Sequence, residues 1–527
     1  MPRKVGVLAW LNVVLVGALV LGLVYGLRLF PRLNAAQRVV DGLKPAFAPA
    51  RVAGERAGIN YTSAVVDLLD PIATPQGKAA SEVLPLVNLV AQKTGLPPAA
   101  VIATLQSKFP HVLGLLQALP LSAVSDELPA FVQTVATVLK TTPAEVVALL
   151  HSATPHLAQA IDNLTKVTSG WNNVPAGGLT RFDGTPVMTA PQLRDYFSQD
   201  VVPVVEKHKL DFGRVATYWP PVKYLPPLLT AIGGIAILFG LLMMLRAATG
   251  KVGRKEGNFT WSIVLILGIG VLVLVFGAQI YPRLDGGSHL LRDAAPAFYP
   301  PRVTGDVAGI KFVSNVVDLG DPIMNPEGGA EGDITKLLDT VSQKTGIAVP
   351  ALVATLQKPY PHTVALLQAI PLSKINSELN ALVDFLHVAL NVTPDQVVGL
   401  LKANTPGLAQ SITALSTVVN GWDNFPGGQG LTRFNGTPVK TAPQLRDFFA
   451  DDVIGAVSKV DADFIKLNGT APDLTLFPGL LTILGALVVI YGIIMLMVVH
   501  LPDPEEVLEA KRNPLGRKRD NPRSRGD

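Results

Sequence analysis

The sequence predicts an all-α membrane protein: four transmembrane helices and two duplicated, mostly helical extracytoplasmic domains, arranged as a parallel tandem repeat. Three observations predict it. Hydrophobic residues make up 49% of the 527-residue chain and charged residues only 16%, whereas a soluble domain usually carries about 25% charged residues. Four apolar stretches are long enough to cross a bilayer. The sequence between Trp10 and span two recurs after Trp261, with a shift of 251 residues.

The four apolar stretches satisfy the length of roughly 20 residues that a transmembrane helix needs. We interpret the first as an uncleaved anchor, because its apolar run is longer than the usual signal-peptide core of about 7–15 residues. Its internal counterpart must also cross the membrane without being N-terminal. The predicted spans are Val5–Leu29, Leu225–Leu245, Ile263–Ile280 and Leu476–Val499.

Basic residues close to the spans predict the orientation, since cytoplasmic loops carry an excess of Lys and Arg. They precede span one, fill the short loop between spans two and three, and follow span four. These three segments lie on one side, so both termini are predicted to be cytoplasmic in a bacterial plasma membrane. The basic residues are Arg3, Lys4, Arg246, Lys251, Arg254, Lys255, Arg512, Arg517, Lys518, Arg519, Arg523 and Arg525; Arg28, Arg32 and Arg283 on the outer flank are a minor exception.

The repeat is strongest in one Gly-rich segment. LTRFDGTPVMTAPQLRDYF, from Leu179, and LTRFNGTPVKTAPQLRDFF, from Leu431, agree at sixteen of nineteen positions. Upstream, AGINYTSAVVDLLDPI (57–72) matches AGIKFVSNVVDLGDPI (308–323). Each unit crosses the membrane twice, so the copies share one orientation, and so long a period indicates domain duplication.

The predicted domains follow the spans and the repeat. Each copy outside the membrane has about 190 residues, enough for a core of its own. The predicted bounds are 1–30 for transmembrane helix 1, 31–224 for the first copy, 225–245 for transmembrane helix 2, 246–260 for a cytoplasmic loop, 261–281 for transmembrane helix 3, 282–475 for the second copy, 476–499 for transmembrane helix 4, and 500–527 for a cytoplasmic basic tail.

Helix starts inside the copies are marked by Thr-Pro pairs. TPAE at Thr142 and TPDQ at Thr393 offer a Thr N-cap, Pro at the first helical position and Glu or Gln at the third. TPHL at Thr154 and TPGL at Thr405 are expected to begin the next helices in the same way. APQLRD begins the last helix of each copy, and the Gly-rich segment before it is predicted to be a loop or short hairpin.

Candidate site residues recur in both copies near the Gly-rich segment. An Arg in such a loop could bind an anion or a lipid head group, or it could form an internal tie to a nearby carboxylate; we favour the tie. The tryptophans, each preceded by Gly, could be interfacial anchors, but we favour the core. The candidate partner- or anion-binding residues are Arg181, Arg433, Asp195, Asp447, Trp171 and Trp422.

Metal, cofactor and nucleic-acid binding are not expected. The chain has no cysteine, which excludes thiolate ligands. Asp67 and Asp70, with their matches, could hold a hard cation, but apolar neighbours favour capping or turn formation. His111 and His362 match between copies and are expected to cap or pack. QKTGLPPAAVIATLQ resembles a helix-turn-helix only in outline and lacks the basic residues that DNA binding requires.

The favoured function is that of a non-enzymatic scaffold or accessory protein of the bacterial cell envelope, with membrane lipids and another envelope or membrane protein as partners. The alternative is a lipid or hydrophobic-ligand binding or transport protein, using a groove between ectodomain helices. An extracytoplasmic hydrolase is the third hypothesis; the motifs of nucleophile elbows, zincins and P-loops are absent from the sequence. The plan resembles bacterial two-span sensory receptors in topology only, and the oligomeric state stays open.

Overall fold

The computed structural model describes residues 3–249, 254–468 and 474–500. Within these ranges the chain is helical without strands, apart from two isolated bridges, Thr180 to Pro186 and Thr432 to Pro438. The all-α prediction is therefore confirmed for the described residues. Residues 501–527 of the predicted tail and 250–253 of the predicted loop lie outside them.

The α-helices are α1 Arg3–Gly26, α2 Leu29–Leu43, α3 Pro49–Ala73, α4 Ala79–Thr94, α5 Pro98–Lys108, α6 Pro110–Ala118, α7 Leu121–Leu139, α8 Pro143–Ala153, α9 Pro155–Gly170, α10 Ala190–Asp195, α11 Val202–Thr217, α12 Leu225–Ala248, α13 Arg254–Gly277, α14 Ile280–Ala294, α15 Pro300–Met324, α16 Ala330–Thr345, α17 Val349–Gln357, α18 Pro361–Ala369, α19 Leu372–Leu390, α20 Pro394–Asn404, α21 Pro406–Gly421, α22 Ala442–Asp447, α23 Ile454–Asn468 and α24 Leu476–His500. Short π-helices, Tyr196–Val201 and Phe448–Val453, follow α10 and α22, and 3₁₀ turns lie at Pro75–Gly77, Val222–Tyr224 and Pro326–Gly328.

Four of the described helices are long and apolar enough to cross a membrane, as predicted. Their apolar stretches are Gly6–Gly26, Val222–Ala248, Gly257–Gly277 and Leu476–His500. The second and third begin several residues before the predicted bounds, because the polar residues at their starts are still helical. The pair α5–α6, which is bent by 119°, is also apolar, but its apolar side chains contribute to the core described below.

The chain divides into two compact units. Among the described residues, the apolar unit comprises 3–41, 210–249, 254–292, 462–468 and 474–500, and the interlocked unit comprises 42–209 and 293–461. In the apolar unit α1 packs on α12, and α13 packs on α24. Each pair thus consists of the helices that precede and follow one copy in the sequence. Glycines permit the close approach: a Cβ at Gly240 would lie 2.8 Å from Val14, and one at Gly492 would lie 3.2 Å from the backbone of Leu265.

Both copies build one core in the interlocked unit. Helix α3 of the first copy packs on α21 of the second, α15 of the second packs on α9 of the first, and α6 packs on α18. The Tyr61 hydroxyl donates to the carbonyl of Val418 at 2.8 Å across this interface. Although each copy is long enough for a core of its own, their buried side chains form a single cluster.

The predicted N-caps divide into two groups. Thr142 and Thr393 form capping boxes with Glu145 and Gln396, as the local sequence predicts. At Thr154 and Thr405 the expected helix starts are confirmed, since α9 begins at Pro155 and α21 at Pro406, but the expected cap was wrong: neither Thr side chain caps its helix.

Their hydroxyls instead donate back to the carbonyls of Leu150 and Leu401, at 2.9 and 3.0 Å. Carboxylates from the opposite copy take their place. Asp333 accepts from the backbone N–H of His156 at 2.8 Å, and Glu82 accepts from that of Leu408 at 2.8 Å.

Candidate functional site

Each copy inserts an arginine into the Gly-rich loop of the other. Arg51 in α3 donates from Nε to the carbonyl of Thr432 at 2.8 Å and from an Nη to the carbonyl of Arg433 at 2.9 Å. Its guanidinium lies over the ring of Phe434, 5.2 Å from the centroid. We call this contact, together with its counterpart at Arg302, the inter-copy loop contacts.

The counterpart has the same geometry. Arg302 in α15 donates to the carbonyls of Thr180 and Arg181 at 2.8 and 2.7 Å, and lies 5.4 Å from the ring centroid of Phe182. A planar guanidinium suits two parallel acceptors and an aromatic face at once. The two contacts therefore use the same chemistry at matched positions.

The loop conformation presents these carbonyls. Thr185 and Asp183 close it locally: the backbone N–H of Arg181 donates to the carbonyl of Thr185 at 2.8 Å, and that of Thr185 donates to the Asp183 carboxylate at 2.9 Å. Gly184 and Gly436 have φ values of 90° and 89°, a region that favours glycine. The predicted loop or short hairpin is thus a tight turn with one bridge.

The guanidinium groups of Arg181 and Arg433 are held inside the loop. Arg181 donates to both oxygens of Asp200, at 3.0 and 2.7 Å. Arg433 binds Asp452 in the same way, at 3.1 Å for both bonds, and also Asp451 at 2.9 Å. The hydrogen bonds that Arg433 donates to Asp452 raise the pKa of Arg433 above its usual value. The structure has the internal tie, and an anion would have to displace a carboxylate.

Asp195 and Asp447 serve a different arginine. Asp195 accepts from Nε of the adjacent Arg194 at 2.9 Å, while Arg194 also contacts Asp67 at 2.5 Å. Asp447 and Asp318 bind Arg446 similarly. Asp195 therefore contributes to anchoring α10 on α3, and only in the second copy does Asp447 approach the loop arginine, at 3.8 Å from Arg433.

Trp171 and Trp422 lie in the core. Their side chains are almost completely buried. The indole N–H of Trp171 donates to Asp70 at 3.1 Å, and that of Trp422 donates to Asp321 at 3.3 Å. These bonds engage the carboxylates considered as cation ligands, and no group of three or more metal-ligating side chains is found among the described residues.

A second pair of carboxyl groups, Glu55 and Asp306, lies at matched positions of the repeat and was not among the candidate residues chosen from the sequence. Both are buried, and Glu55 Oε1 and Asp306 Oδ1 make no hydrogen bond within the described structure. Burial raises the pKa of Glu55 to about 8 and that of Asp306 to about 7, although Arg51 and Arg302 oppose the shift. The nearby Tyr196 hydroxyl also opposes the rise in the pKa of Asp306.

These acids belong to the same helix segments as the inserted arginines, RVAGERAG at 51–58 and RVTGDVAG at 302–309. The glycines on either side allow the opposite copy to approach. A Cβ at Gly54 would lie 2.7 Å from Leu431, and one at Gly309 would lie 2.8 Å from Leu193. The repeated Arg-x-x-Gly-acid-x-x-Gly spacing was the signal that could have identified them.

His111 and His362 also lie at an inter-copy contact. Glu378 accepts from the backbone N–H of Val112 at 2.8 Å and contacts His111 Nδ1 at 2.6 Å. Glu127 makes the same contacts with Thr363 and His362, at 2.8 and 2.7 Å. Burial would raise the pKa of Glu127, but the hydrogen bonds from Thr363 and His362 outweigh it and lower the pKa. A carboxylate at a helix N-terminus is stabilised in this way.

The candidate site is therefore a set of reciprocal contacts between the copies. Each copy places an arginine on the loop carbonyls of the other copy and carboxylates on its helix N-termini, and the residues involved lie at matched positions. Comparison with known proteins gives no relative: no family model, curated protein or solved structure matches the chain.

Proposed function

We propose that this chain is a non-enzymatic scaffold or accessory protein of a bacterial cell envelope, whose duplicated helical segments lie outside the plasma membrane and bind another envelope protein. The observation that carries the proposal is the reciprocity of the inter-copy contacts. A copy without its partner would leave one inserted arginine, the carbonyls of its loop and two helix N-termini without these bonds. The copies therefore act as one body that carries each surface element twice.

Matched exposed apolar side chains support two equivalent binding surfaces. Leu96 and Ile347 follow the glycines that end α4 and α16, and they are 43% and 39% exposed. Val147 and Val398, in α8 and α20, are 41% and 38% exposed. Single exposed apolar residues are ordinary, but the same exposure at matched positions provides two similar contact points. Two linked sites raise the effective concentration for a divalent or repetitive partner.

The experiment is a pull-down of the full chain in a gentle detergent, with partners identified by mass spectrometry. The test variant carries Leu96→Glu and Ile347→Glu. The control carries Leu84→Glu and Val388→Glu, which are also exposed but match Thr335 and Thr137 and so are not duplicated apolar positions. We expect a specific partner to be lost from the test variant and retained by the control. A wild-type chain that captures nothing would contradict the proposal.

The alternative, lipid handling by a groove between ectodomain helices, receives less support from the interlocked unit. The apolar cavities measured between its described helices have volumes of about 50, 80 and 40 Å³. A cavity of roughly 150 Å³ holds one benzene ring, so these are too small for a lipid chain. A fourth, wider opening of about 460 Å³ lies between α3 and the α20–α21 segment, but Asp67, Lys402 and Gln410 belong to its lining, and such polar groups do not suit an acyl chain. We therefore do not place a lipid site in this unit.

A further inference from the structure

The two helix pairs of the apolar unit touch at both ends and separate between them. At one end the indoles of Trp10 and Trp261 stack with centroids 4.0 Å apart. At the other end Leu29, Ile280 and Phe477 are fully buried in a second cluster. Between these contacts lies a cavity of about 440 Å³. Well-packed interiors contain few voids larger than a water molecule, so we expect a cavity of this volume to contain another molecule.

The cavity opens sideways between α1 and α24. Those two helices contribute exposed side chains to its lining: Leu15, Leu19, Leu487, Ile490 and Ile494 are each at least half exposed. Helices α12 and α13 contribute buried or half-buried residues, among them Ala236 and Val264. The opening is thus continuous with the outward apolar surface of helices that are suited to a bilayer.

A polar pair marks one end of the lining. Asn12 Nδ2 donates to the Tyr491 hydroxyl at 3.3 Å, and that hydroxyl donates to the carbonyl of Ala9 at 2.9 Å. Asn12 is exposed and retains a second N–H. An amide facing hydrocarbon without a partner is costly, so this N–H favours an acceptor on the occupant. Asn12 lies six residues after Gly6, about 9 Å along the helix, where the polar end of a lipid would be close.

The opposite side of the bundle lacks these features. The residues matched to Asn12 and Tyr491 are Ile263 and Phe239, and Gly270 matches Leu19. The polar pair is therefore specific to the side on which the cavity opens, and the difference between the two sides provides a built-in comparison.

We propose that this cavity binds one acyl chain of a membrane phospholipid, with the ester carbonyl accepting a hydrogen bond from Asn12. The chain runs from the Asn12–Tyr491 end along Val16, Val20 and Leu484. The bound chain fills the gap between the two helix pairs and replaces the missing van der Waals contacts. This site is independent of the proposed scaffold function, since it lies in the apolar unit and requires no protein partner.

The test is photolabelling of the full chain in phospholipid vesicles that contain a phospholipid with a diazirine on one acyl chain. Labelled peptides are mapped by mass spectrometry. We expect labelling of α1 and α24 at the opening to exceed labelling of the outward faces of α12 and α13. Equal labelling of the two sides would show annular lipid only and overturn the proposal.

Two variants make the test specific. Ala236→Phe fills the cavity, and Ile235→Phe, on the exposed neighbouring position, is the matched control. We expect Ala236→Phe to reduce the excess labelling about tenfold and the control to retain it. Asn12→Ile introduces the residue of the opposite side and should reduce retention of phospholipid in native mass spectrometry about three- to tenfold, as expected for one lost hydrogen bond. If Ala236→Phe does not fold, the Asn12→Ile result decides, and unchanged retention overturns the proposal.

Discussion

Arg51 donates a hydrogen bond to the backbone carbonyl of Arg433, 382 residues further along the chain. Arg302 makes the equivalent bond to Arg181 in the reverse direction. Because each bond joins one copy to the other, the guanidinium groups and loop carbonyls of each copy find their hydrogen-bond partners in the other copy. The first predictions follow from this reciprocity.

Removing an inserted arginine should destabilise the interlocked unit. Arg51→Ala and Arg302→Ala each remove charge-assisted hydrogen bonds to loop carbonyls, so we expect each to lower the free energy of unfolding by roughly 2–3 kcal/mol. Arg56→Ala is the control, because its ion pair with Glu206 is exposed and should change stability by less than about 1 kcal/mol. Thermal unfolding in detergent, followed by tryptophan fluorescence, measures the difference. Equal effects of Arg51→Ala and Arg56→Ala would contradict this account.

Stability should fall as the pH rises through the pKa values of the buried acids. The pKa values in the folded state, about 7 for Asp306 and about 8 for Glu55, lie above the ordinary 3.8 and 4.5. The folded state therefore binds more protons between these limits, and stability decreases with rising pH. The stability that these two protonated carboxyl groups contribute is fully present below about pH 4 and is lost above about pH 8.

Neutral isosteres provide the matched control for this pH dependence. Glu55→Gln with Asp306→Asn should flatten the dependence of the unfolding midpoint on pH between 5 and 8.5, a window chosen around the raised pKa values. The charges of Arg51 and Arg302 and the hydroxyl of Tyr196 remain in place in this variant. A wild-type protein whose stability rises across the same window would show that these carboxyl groups are ionised in the folded state.

The carboxylate caps should protect specific backbone amides. Glu127→Ala and Glu378→Ala leave the N-termini of α18 and α6 without their acceptors, at a cost of about 1–3 kcal/mol each. Hydrogen exchange should accelerate at Thr363 in the first variant and at Val112 in the second. Glu145→Ala, which removes an exposed cap within one copy, should leave both amides protected. Unchanged exchange at Thr363 in Glu127→Ala would mean that another group caps α18.

Loop integrity should depend on Arg181 and Arg433. Replacing either with Ala releases Asp200 or Asp452, and we expect faster limited proteolysis within residues 178–188 or 430–440. Capture of a partner should be retained if the guanidinium has only this internal role. Partner or lipid binding that is lost while the proteolysis pattern stays normal would instead assign these arginines to a binding site.

Local signals predicted the fold well. The four apolar helices follow from the lengths of the apolar runs. The capping boxes at Thr142 and Thr393 depend only on residues three positions apart. The same Thr-Pro signal gave the right helix starts at Thr154 and Thr405 but the wrong cap, because Asp333 and Glu82 reach these helix N-termini from the opposite copy. Sequence patterns along one segment carry no information about such a partner.

The loop contacts were hidden for a related reason. Arg51 and Arg302 bind backbone carbonyls, which every residue possesses, so no pairing of side-chain types identifies the acceptor. Trp171 and Trp422 lie in the core, as favoured over interfacial anchors, whereas their partners Asp70 and Asp321 were considered for cations or caps. Matched positions showed which residues recur but not whether their contacts lie within a copy or between copies.

The central claim is that the two copies interlock, and an engineered disulfide tests it most directly. The chain has no cysteine, so a Gly42→Cys, Val460→Cys variant has a single possible pair. A Cβ at Gly42 lies 4.0 Å from that of Val460, within the usual disulfide range. The matched positions, Asp293 and His208, are in contact at 2.8 Å.

A protease site between residues 249 and 254 then separates the copies. We expect the oxidised, cleaved protein to migrate as one full-length species without reductant and as two halves with it. Each single-cysteine variant should give two halves in both conditions. Two unlinked halves from the oxidised double variant, or a band of twice the chain mass from linkage between molecules, would contradict interlocking within one chain.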